Sequence, residues 1–157
     1  MTRWYGRGPP GERVAGAVPG GHRRALTMIG ALRLDGLAAA ATVDAATDAD
    51  VFRASALGSL VPVLREGDVV AWDGLSAHAA AGVGPAIEAA GAELRPLPPY
   101  SPDLSPIEPM WSKVKQFLRT AAARTVAALG EAAAEAFASI TAADARGWFL
   151  GCGYRLR

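Results

Sequence analysis

The chain has 157 residues, of which 51% are hydrophobic and 20% charged, and its formal net charge is +1. This composition excludes an intrinsically disordered chain, and the length suits one domain with a single hydrophobic core. The single cysteine, Cys152, excludes an intrachain disulfide framework and a cysteine zinc site. No apolar stretch approaches the ~20 residues of a membrane span, and the N-terminal residues lack the apolar segment of a signal peptide, so we expect a cytoplasmic protein.

The charges are unevenly distributed along the chain. Residues 1–24 carry five arginines against one glutamate, and residues 105–125 carry four basic side chains against Glu108. The stretch 35–103 between them has ten acidic and three basic residues. Two basic segments on either side of an acidic segment are consistent with a site that binds a polyanion next to a cluster of carboxylates. The alternative, which is more common for such charge runs, is a solvated surface.

The first part of the chain predicts a β-hairpin followed by a helix. RVAGAV at 13–18 could form a short strand. Loose alternation over 24–36, which ends in Asp35-Gly36, and the run at 37–45 predict two strands joined by a tight turn. Residues 48–64 carry apolar side chains at helical spacing, and Pro62 should kink that helix or end it early.

The rest of the chain alternates strands and helices and then ends in helices. The run at 66–74, EGDVVAWDG, is apolar and bounded by turn residues, which is typical of a strand buried on both faces. A helix near 83–90 and a strand at 92–98 follow. Three helices are expected at roughly 106–122, 125–139 and 142–149. This order predicts an α/β layered domain with a mixed sheet.

Asp73 is the first candidate for a metal ligand. It follows VVAW, at the carboxyl end of a predicted strand, which is where open α/β sheets collect their ligands. A plain turn at Asp73-Gly74 is an equally good interpretation of that position. A second acid on a separate element would complete a magnesium site for phosphoryl transfer, because Mg²⁺ prefers oxygen ligands and keeps several waters.

Glu108 is the second candidate, in the first turn of a helix that a proline-rich loop introduces. The stretch is LPPYSPDLSPIEPMWSKVKQFLR, residues 97–119. The alternative to a metal ligand is a capping box, in which Glu108 bonds back to the amide of an N-cap Ser105. Lys115 and Arg119 align with Glu108 beside the apolar stripe of the helix, and this basic row could bind phosphates. The stripe is expected to be core: Ile107, Met110, Trp111, Val114, Phe117 and Leu118.

The proline-rich stretch resembles the region around the third catalytic acid of DDE transposases of the mariner-like superfamily, in particular the bacterial insertion-sequence branch. VVAWDGLSAH is similar to the block around the second acid of that family. The 34 residues between Asp73 and Glu108 match the spacing of that branch. The similarity continues through YGRGPPGERVAGAVPGG, TMIGALRLDG and GWFLGCGY, so residues 1–157 are interpreted as one catalytic-domain fragment.

The resemblance implies an RNase H-like fold, with a mixed sheet flanked by helices. It also implies DNA cleavage at transposon ends by water, followed by transfer of the freed 3′ end to target DNA. Asp73 and Glu108 would be the catalytic acids and would hold two Mg²⁺ or Mn²⁺ ions. His78 and Ser105 would support them from a second layer.

Three basic residues are expected to contact the DNA backbone, with salt-dependent affinity: Lys113, Lys115 and Arg119. The expected partners are transposon-end DNA, target DNA, and either a second copy or a full-length transposase. No membrane partner is expected.

The sequence also departs from the family pattern. The first acid of the family lies on a first strand upstream of the segment that WYGRGPPGERV matches, so this chain is expected to lack both. Asp35 is expected to serve the hairpin turn instead of replacing that acid. Gly74 and Ser105 stand where the family usually has Asn. We therefore expect the chain alone to be inactive or nearly so; the alternative is a non-catalytic remnant that binds DNA or a transposase.

Overall fold

The computed structural model of the chain describes residues 6–16, 26–46, 48–73 and 80–155. A hairpin is followed by alternating helices and strands and then by helices, in the predicted order. The elements are β1 (Thr27–Arg33), β2 (Gly36–Val43), α1 (Ala49–Ser55), β3 (Val69–Trp72), α2 (Val83–Ala89), β4 (Glu93–Pro96), α3 (Ile107–Ala121), α4 (Val126–Ala138) and α5 (Ala142–Gly151).

β1 and β2 form the predicted antiparallel hairpin. Thr27 pairs with Val43 and Arg33 pairs with Gly36, which leaves Leu34 and Asp35 as the turn. Gly36 has a φ of +124°, a conformation that favours glycine, and it is buried beside the backbone that leads into α5. The short strand predicted at 13–18 does not form over residues 13–16, and residues 17 and 18 lie outside the described part of the chain.

The helix after the hairpin changes its winding as it approaches Pro62. Asp48 caps α1 by accepting a 2.8 Å hydrogen bond from the N–H of Val51. The α-helix passes into a π-helical turn at Ala56–Leu60 and a 3₁₀ turn at Val61–Val63. Because proline cannot continue an α-helix, Pro62 lies in the last turn, as predicted.

β3 and β4 pair in parallel, with α2 as the connection between them. The expectation that β3 is buried on both faces is wrong, because Val69 is 56% exposed and Ala71 is exposed as well. Val70 and Trp72 on the other face are half-buried against residues of α1 and α2. Helices cover that face of β3 and leave the opposite face to solvent.

Two groups of buried side chains hold these elements together. The C-terminal core lies between α3, α4 and the hairpin; its buried members are Met110, Val114, Leu118, Ala132, Ala133, Ala136 and Ile140. The central core lies under α1 and α2; its buried members are Phe52, Ala56, Val83, Ile87 and Ala92. The predicted apolar stripe of α3 is confirmed, since three of its residues are buried and the other three pack against the C-terminal core.

Among the described residues, no single helix is long and apolar enough to cross a membrane. The bent pair Val126–Ala138 and Ala142–Gly151 passes that test by length and composition only.

The described strands form two separate two-stranded sheets, one antiparallel and one parallel. The expected continuous mixed sheet is therefore absent from the described part of the chain. Two ion pairs connect the hairpin to the segment before β3: Arg33 at the end of β1 contacts Asp68 at 2.5 Å, and Arg65 contacts Asp35 of the hairpin turn at 3.3 Å. No described strand lies between β1 and β3.

Candidate active site

A cleft of about 680 Å³ lies between the two sheets. One side is formed by β1 and part of β2, and the other by residues 68–73, which include β3. Residues of α1, the π-helical turn, the proline-rich loop and the first turns of α3 also line it, together with Phe149 and Tyr154. Both candidate carboxylates, Asp73 and Glu108, line this cleft, although 34 residues separate them in the sequence.

Asp73 directly follows β3, at the carboxyl end of the strand, as the sequence predicted. Its side chain is exposed and borders the cleft. The strand end is held in place because the carbonyl of Trp72 accepts a 2.7 Å hydrogen bond from the N–H of Leu97, beyond the end of β4. The parallel pairing of β3 and β4 therefore fixes the position from which Asp73 projects.

Glu108 lies in the first turn of α3, and it does not form the capping box that was its alternative role. The amide of Ser105 donates to the carbonyl of Pro102 at 3.1 Å, so it is not available to Glu108. Pro106 is the N-cap residue, and the backbone N–H of Glu108 donates to the carbonyl of Ser105 at 3.1 Å. Within the described residues the Glu108 carboxylate has no hydrogen bond and no ion pair, and it is exposed at the cleft.

The proline-rich loop connects the strand that carries Asp73 with the helix that carries Glu108. Its first residue, Leu97, is bonded to the end of β3. Its last turn, Pro102–Leu104, is held by Tyr154, whose hydroxyl donates to the carbonyl of Leu104 at 2.8 Å. Burial raises the pKa of the Tyr154 hydroxyl further above neutral pH. The loop is therefore anchored at both ends, next to each candidate acid.

The basic residues of α3 fall into two groups. Lys115 and Arg119 are exposed on the same flank as Glu108, as the helical spacing predicted. Lys113 is half-buried, and its ammonium is bound within the protein by the carboxylate of Asp144 at 2.6 Å and the carbonyl of Ser139 at 2.9 Å. The hydrogen bond from Lys113, with further bonds from Thr141, holds the pKa of Asp144 at about 2.

Ser105 and His78 are the two residues expected to support the carboxylates from a second layer. Ser105 lines the cleft and supports Glu108 through its backbone carbonyl. His78 lies outside the described residues, as does Gly74 beside Asp73. The second-layer role expected of His78 stays a prediction.

Sequence reasoning missed the contacts that shape the two ends of the cleft. Arg33 bonds to the carbonyl of Val63 at 3.0 Å as well as to Asp68, and it closes the cleft opposite the carboxylates. At the other end, Tyr154 reaches the proline-rich loop from 50 residues away. The local sequence offered one signal for these contacts, the opposite charges of Arg33 and Asp68 beside two predicted strands.

The donor atoms at the carboxylate end suit a hard divalent cation. Asp73 and Glu108 offer carboxylate oxygens, which Mg²⁺ and Mn²⁺ prefer, and Mg²⁺ commonly binds through one or two carboxylates while water fills its other positions. No group of three or more His, Cys, Asp or Glu side chains able to hold a metal occurs among the described residues. By donor type, Asp73 and Glu108 suit an ion that keeps water at its other positions.

Comparison with known proteins gives one family match. Residues 1–130 match a family model described as DDE superfamily endonuclease. This match covers most of the chain and includes both carboxylates at the cleft. A search of curated proteins found no significant match.

Proposed function

We propose that this chain, which belongs to the DDE superfamily of endonucleases, is a transposase catalytic domain that cleaves and transfers DNA strands by metal-dependent phosphoryl transfer. A DDE endonuclease domain implies an RNase H-like fold, and transposase-type domains of this superfamily act on DNA and generally use divalent metals. We assign the chain to the bacterial insertion-sequence branch of the mariner-like transposases. That assignment rests on the proline-rich motif and the spacing from Asp73 to Glu108.

The observation that carries the proposal is the convergence of Asp73 and Glu108 on one cleft. They come from a strand end and a helix start, and the anchored loop between these elements restricts their relative position. The Glu108 carboxylate has no bonding partner among the described residues, so it is available to a ligand. A residue with only a capping role would instead bond to the start of its own helix.

The catalytic roles follow from these positions. Asp73 and Glu108 would hold Mg²⁺ or Mn²⁺, and two bound ions would activate the attacking oxygen and stabilise the leaving oxygen. The backbone carbonyl of Ser105 accepts a hydrogen bond from the N–H of Glu108 and so supports the first turn of α3. Lys115 and Arg119 extend from the same flank of α3 and would bind the DNA backbone. Lys113 would reach DNA only by leaving Asp144.

The resemblance implies a third carboxylate on a strand of its own, so Asp73 and Glu108 would supply two of three acids. We therefore propose that the chain of 157 residues is inactive, or nearly so, when it is purified alone. A strand between β1 and β3 would also join the two observed sheets into the single mixed sheet expected of an RNase H-like domain.

Metal binding tests the proposed site without requiring turnover. We expect Mn²⁺ to bind the purified chain, as followed by electron paramagnetic resonance, and to bind about tenfold or more weakly after Asp73→Asn or Glu108→Gln. Glu131→Gln is the matched control, because Glu131 is an exposed helical carboxylate outside the cleft. Equal loss in the control, or no loss in either site variant, would contradict the assignment of these two acids.

DNA cleavage tests the expected inactivity and separates the two candidate functions. The chain is incubated with duplex DNA that is either nicked near one end or intact, in the presence of Mg²⁺ or Mn²⁺. We expect no cleavage of either substrate. Cleavage that disappears in Glu108→Ala would overturn the expected inactivity and support the catalytic site. DNA binding that persists without metal and is unchanged in Asp73→Ala would instead support a non-catalytic binding module.

A further inference from the structure

The turn at Pro99 and Tyr100 carries a large side chain in a backbone conformation that usually belongs to glycine. Tyr100 has a φ of +55°, and it is one of two residues other than glycine with a positive φ among the described residues. The second, Ala122, ends α3. A bulky residue in this region is strained, because its Cβ approaches the following carbonyl oxygen. The local conformation therefore favours glycine or asparagine over tyrosine.

The side chain of Tyr100 makes no contact that would offset this strain. Its relative exposure is 102%, so the whole side chain lies in solvent. Within the described part of the chain it takes part in no hydrogen bond and no ring contact. Tyr154, in contrast, packs its ring against Phe149 and bonds to the carbonyl of Leu104. A residue that is strained and stabilises no described contact favours a role in binding a ligand.

The proline-rich loop holds Tyr100 close to the carboxylate end of the cleft. The N–H of Leu97 is bonded to the carbonyl of Trp72, the residue before Asp73. Three residues of chain span at most about 10 Å, and successive phosphates of one DNA strand are about 3.4 Å apart along the helix axis. Tyr100 therefore lies within a few nucleotides of a phosphate bound at Asp73.

The tip of this loop is apolar, uncharged and rigid. Residues 97–102 contain three prolines and no charged side chain, and Pro98 and Pro99 are exposed together with Tyr100. The hydroxyl of Ser101 donates to the carbonyl of Pro99 at 3.3 Å and closes the turn. Because proline fixes φ, the tip loses little conformational entropy when it binds a ligand. It also has no charge that would repel a phosphate.

The exposed ring suits an unpaired DNA base better than an intact duplex. Both faces of a base inside a duplex are covered by neighbouring bases, whereas an unpaired base has a free face. Such bases stack on aromatic side chains of proteins, largely irrespective of sequence. Strand cleavage and strand transfer, the activity proposed above, act at DNA ends, where nucleotides unpair most easily. An exposed tyrosine a few nucleotides from the candidate carboxylates can therefore hold an unpaired end.

We propose that Tyr100 stacks on an unpaired base next to the phosphate bound at Asp73 and Glu108, and so holds a DNA end at the site. The role rests on the proposed function, because its ligand is the DNA end that would be cleaved or transferred. Phosphate contacts by Lys115 and Arg119 carry no information on base pairing. Stacking on Tyr100 would distinguish an unpaired end from an intact duplex.

Binding of DNA ends to the full chain tests the proposal. The probe is a duplex with a three-nucleotide unpaired 3′ overhang that contains 2-aminopurine, whose fluorescence is quenched by stacking. One control is the same duplex with abasic residues in the overhang, and the other is a blunt duplex. We expect the probe to bind about tenfold more tightly than either control, with quenching of the 2-aminopurine fluorescence on binding.

Variants of Tyr100 make the same test from the side of the protein. Tyr100→Asn removes the ring and suits the positive φ, so it should abolish the preference for the overhang while the chain unfolds at the same temperature or a higher one. Tyr100→Phe keeps the ring and should retain the preference. Leu150→Ala is the matched control, because Leu150 is an apolar side chain of α5 that is 57% exposed and does not line the cleft; it should bind as the unchanged chain does.

Three results would overturn the proposal. Equal affinity of the unchanged chain for the probe and its abasic control would mean that no base stacks on the protein. A preference that persists in Tyr100→Asn would mean that another residue holds the base. A lower unfolding temperature or weaker Mn²⁺ binding in Tyr100→Asn would mean that the ring supports the loop itself.

Mn²⁺ binding separates this proposal from the proposed function. If Mn²⁺ binding depends on Asp73 and Glu108 but Tyr100→Asn keeps the overhang preference, the stacking role alone is wrong. If Mn²⁺ binding is insensitive to both carboxylates while the preference depends on Tyr100, the proposed chemistry is wrong and the stacking role is supported.

Discussion

The C-terminal core and the cleft differ in how completely they satisfy their own groups. In the C-terminal core, Met110, Val114 and Leu118 are at most 1% exposed, and the ammonium of Lys113 is bound by two oxygen acceptors. At the cleft, no described strand pairs with the facing edges of β1 and β3, and the carboxylate of Glu108 has no polar partner among the described residues. α3 belongs to both regions, since one face packs in the core and its first turn borders the cleft.

The two parts of α3 therefore have different roles: one face stabilises the core, and the first turn presents Glu108. The buried face of α3 fixes the helix rigidly, because packed apolar side chains leave few alternative arrangements. Its first turn can then hold Glu108 exposed at the cleft in a fixed position. The first turn therefore presents a carboxylate without a protein partner at a cleft whose facing strand edges have no described partner strand, and this favours a binding function there.

The largest contrast between the regions is expected from paired truncations of apolar residues. Leu118→Ala removes a side chain that is 1% exposed and should lower the free energy of unfolding by about 2–5 kcal/mol. Val69→Ala, at a position that is 56% exposed beside the cleft, should change it by about 0.5 kcal/mol or less. Chemical denaturation measures both, and equal losses would contradict the division between the two regions.

The pH dependence of stability should come in part from the C-terminal core. Since the pKa of Asp144 is lowered to about 2, its stabilisation is present above the ordinary aspartate value of about 3.9 and is lost as pH falls toward 2. We expect a loss of about 1 kcal/mol over that window, because the pair with Lys113 is partly exposed.

Urea denaturation at about pH 5 and about pH 2.5 measures this loss. Asp144→Asn should reduce it, whereas Glu131→Gln, at an exposed position outside the pair, should leave it unchanged. A pH dependence identical in both variants would show that the pair does not contribute.

The anchor of the proline-rich loop should have a smaller effect on stability. Tyr154→Phe removes the hydrogen bond to Leu104 and keeps the ring in contact with Phe149, so we expect a loss of about 1 kcal/mol. Hydrogen exchange of residues 97–105 should become faster, and Mn²⁺ binding weaker. Tyr100→Phe is the control, because Tyr100 is fully exposed; a loop unchanged in Tyr154→Phe would contradict the anchoring role.

The exposed basic row should affect DNA binding and have the least effect on stability. Lys115→Gln and Arg119→Gln should each lower the slope of log affinity against log salt concentration by about one unit, since each removes one phosphate contact. The free energy of unfolding should hardly change, because both side chains are exposed. Arg146→Gln, on the exposed surface of α5, is the control; an equal change there would indicate non-specific attraction to DNA.

Local sequence patterns predicted most of the elements and the candidate carboxylates. The turn residues Asp35-Gly36 predicted the hairpin, and Pro62 predicted the end of the first helix. Helical spacing predicted the buried face of α3 because its apolar side chains recur at three- and four-residue intervals. The apolar run at residues 69–72 predicted a strand that ends at Asp73. Each of these signals lies within a few residues of the structure it predicts.

The sequence by itself determined the type and order of most elements, and that an acid follows β3 and another opens α3. Only the tertiary structure decided that Glu108 leaves its helix uncapped, that Lys113 turns to Asp144, and that one face of β3 is exposed. It also decided that the two sheets remain separate, joined by Arg33 and Asp68. The pairs of Lys113 with Asp144 and of Arg33 with Asp68 lie 31 and 35 residues apart, and local periodicity carries no information on such distant contacts.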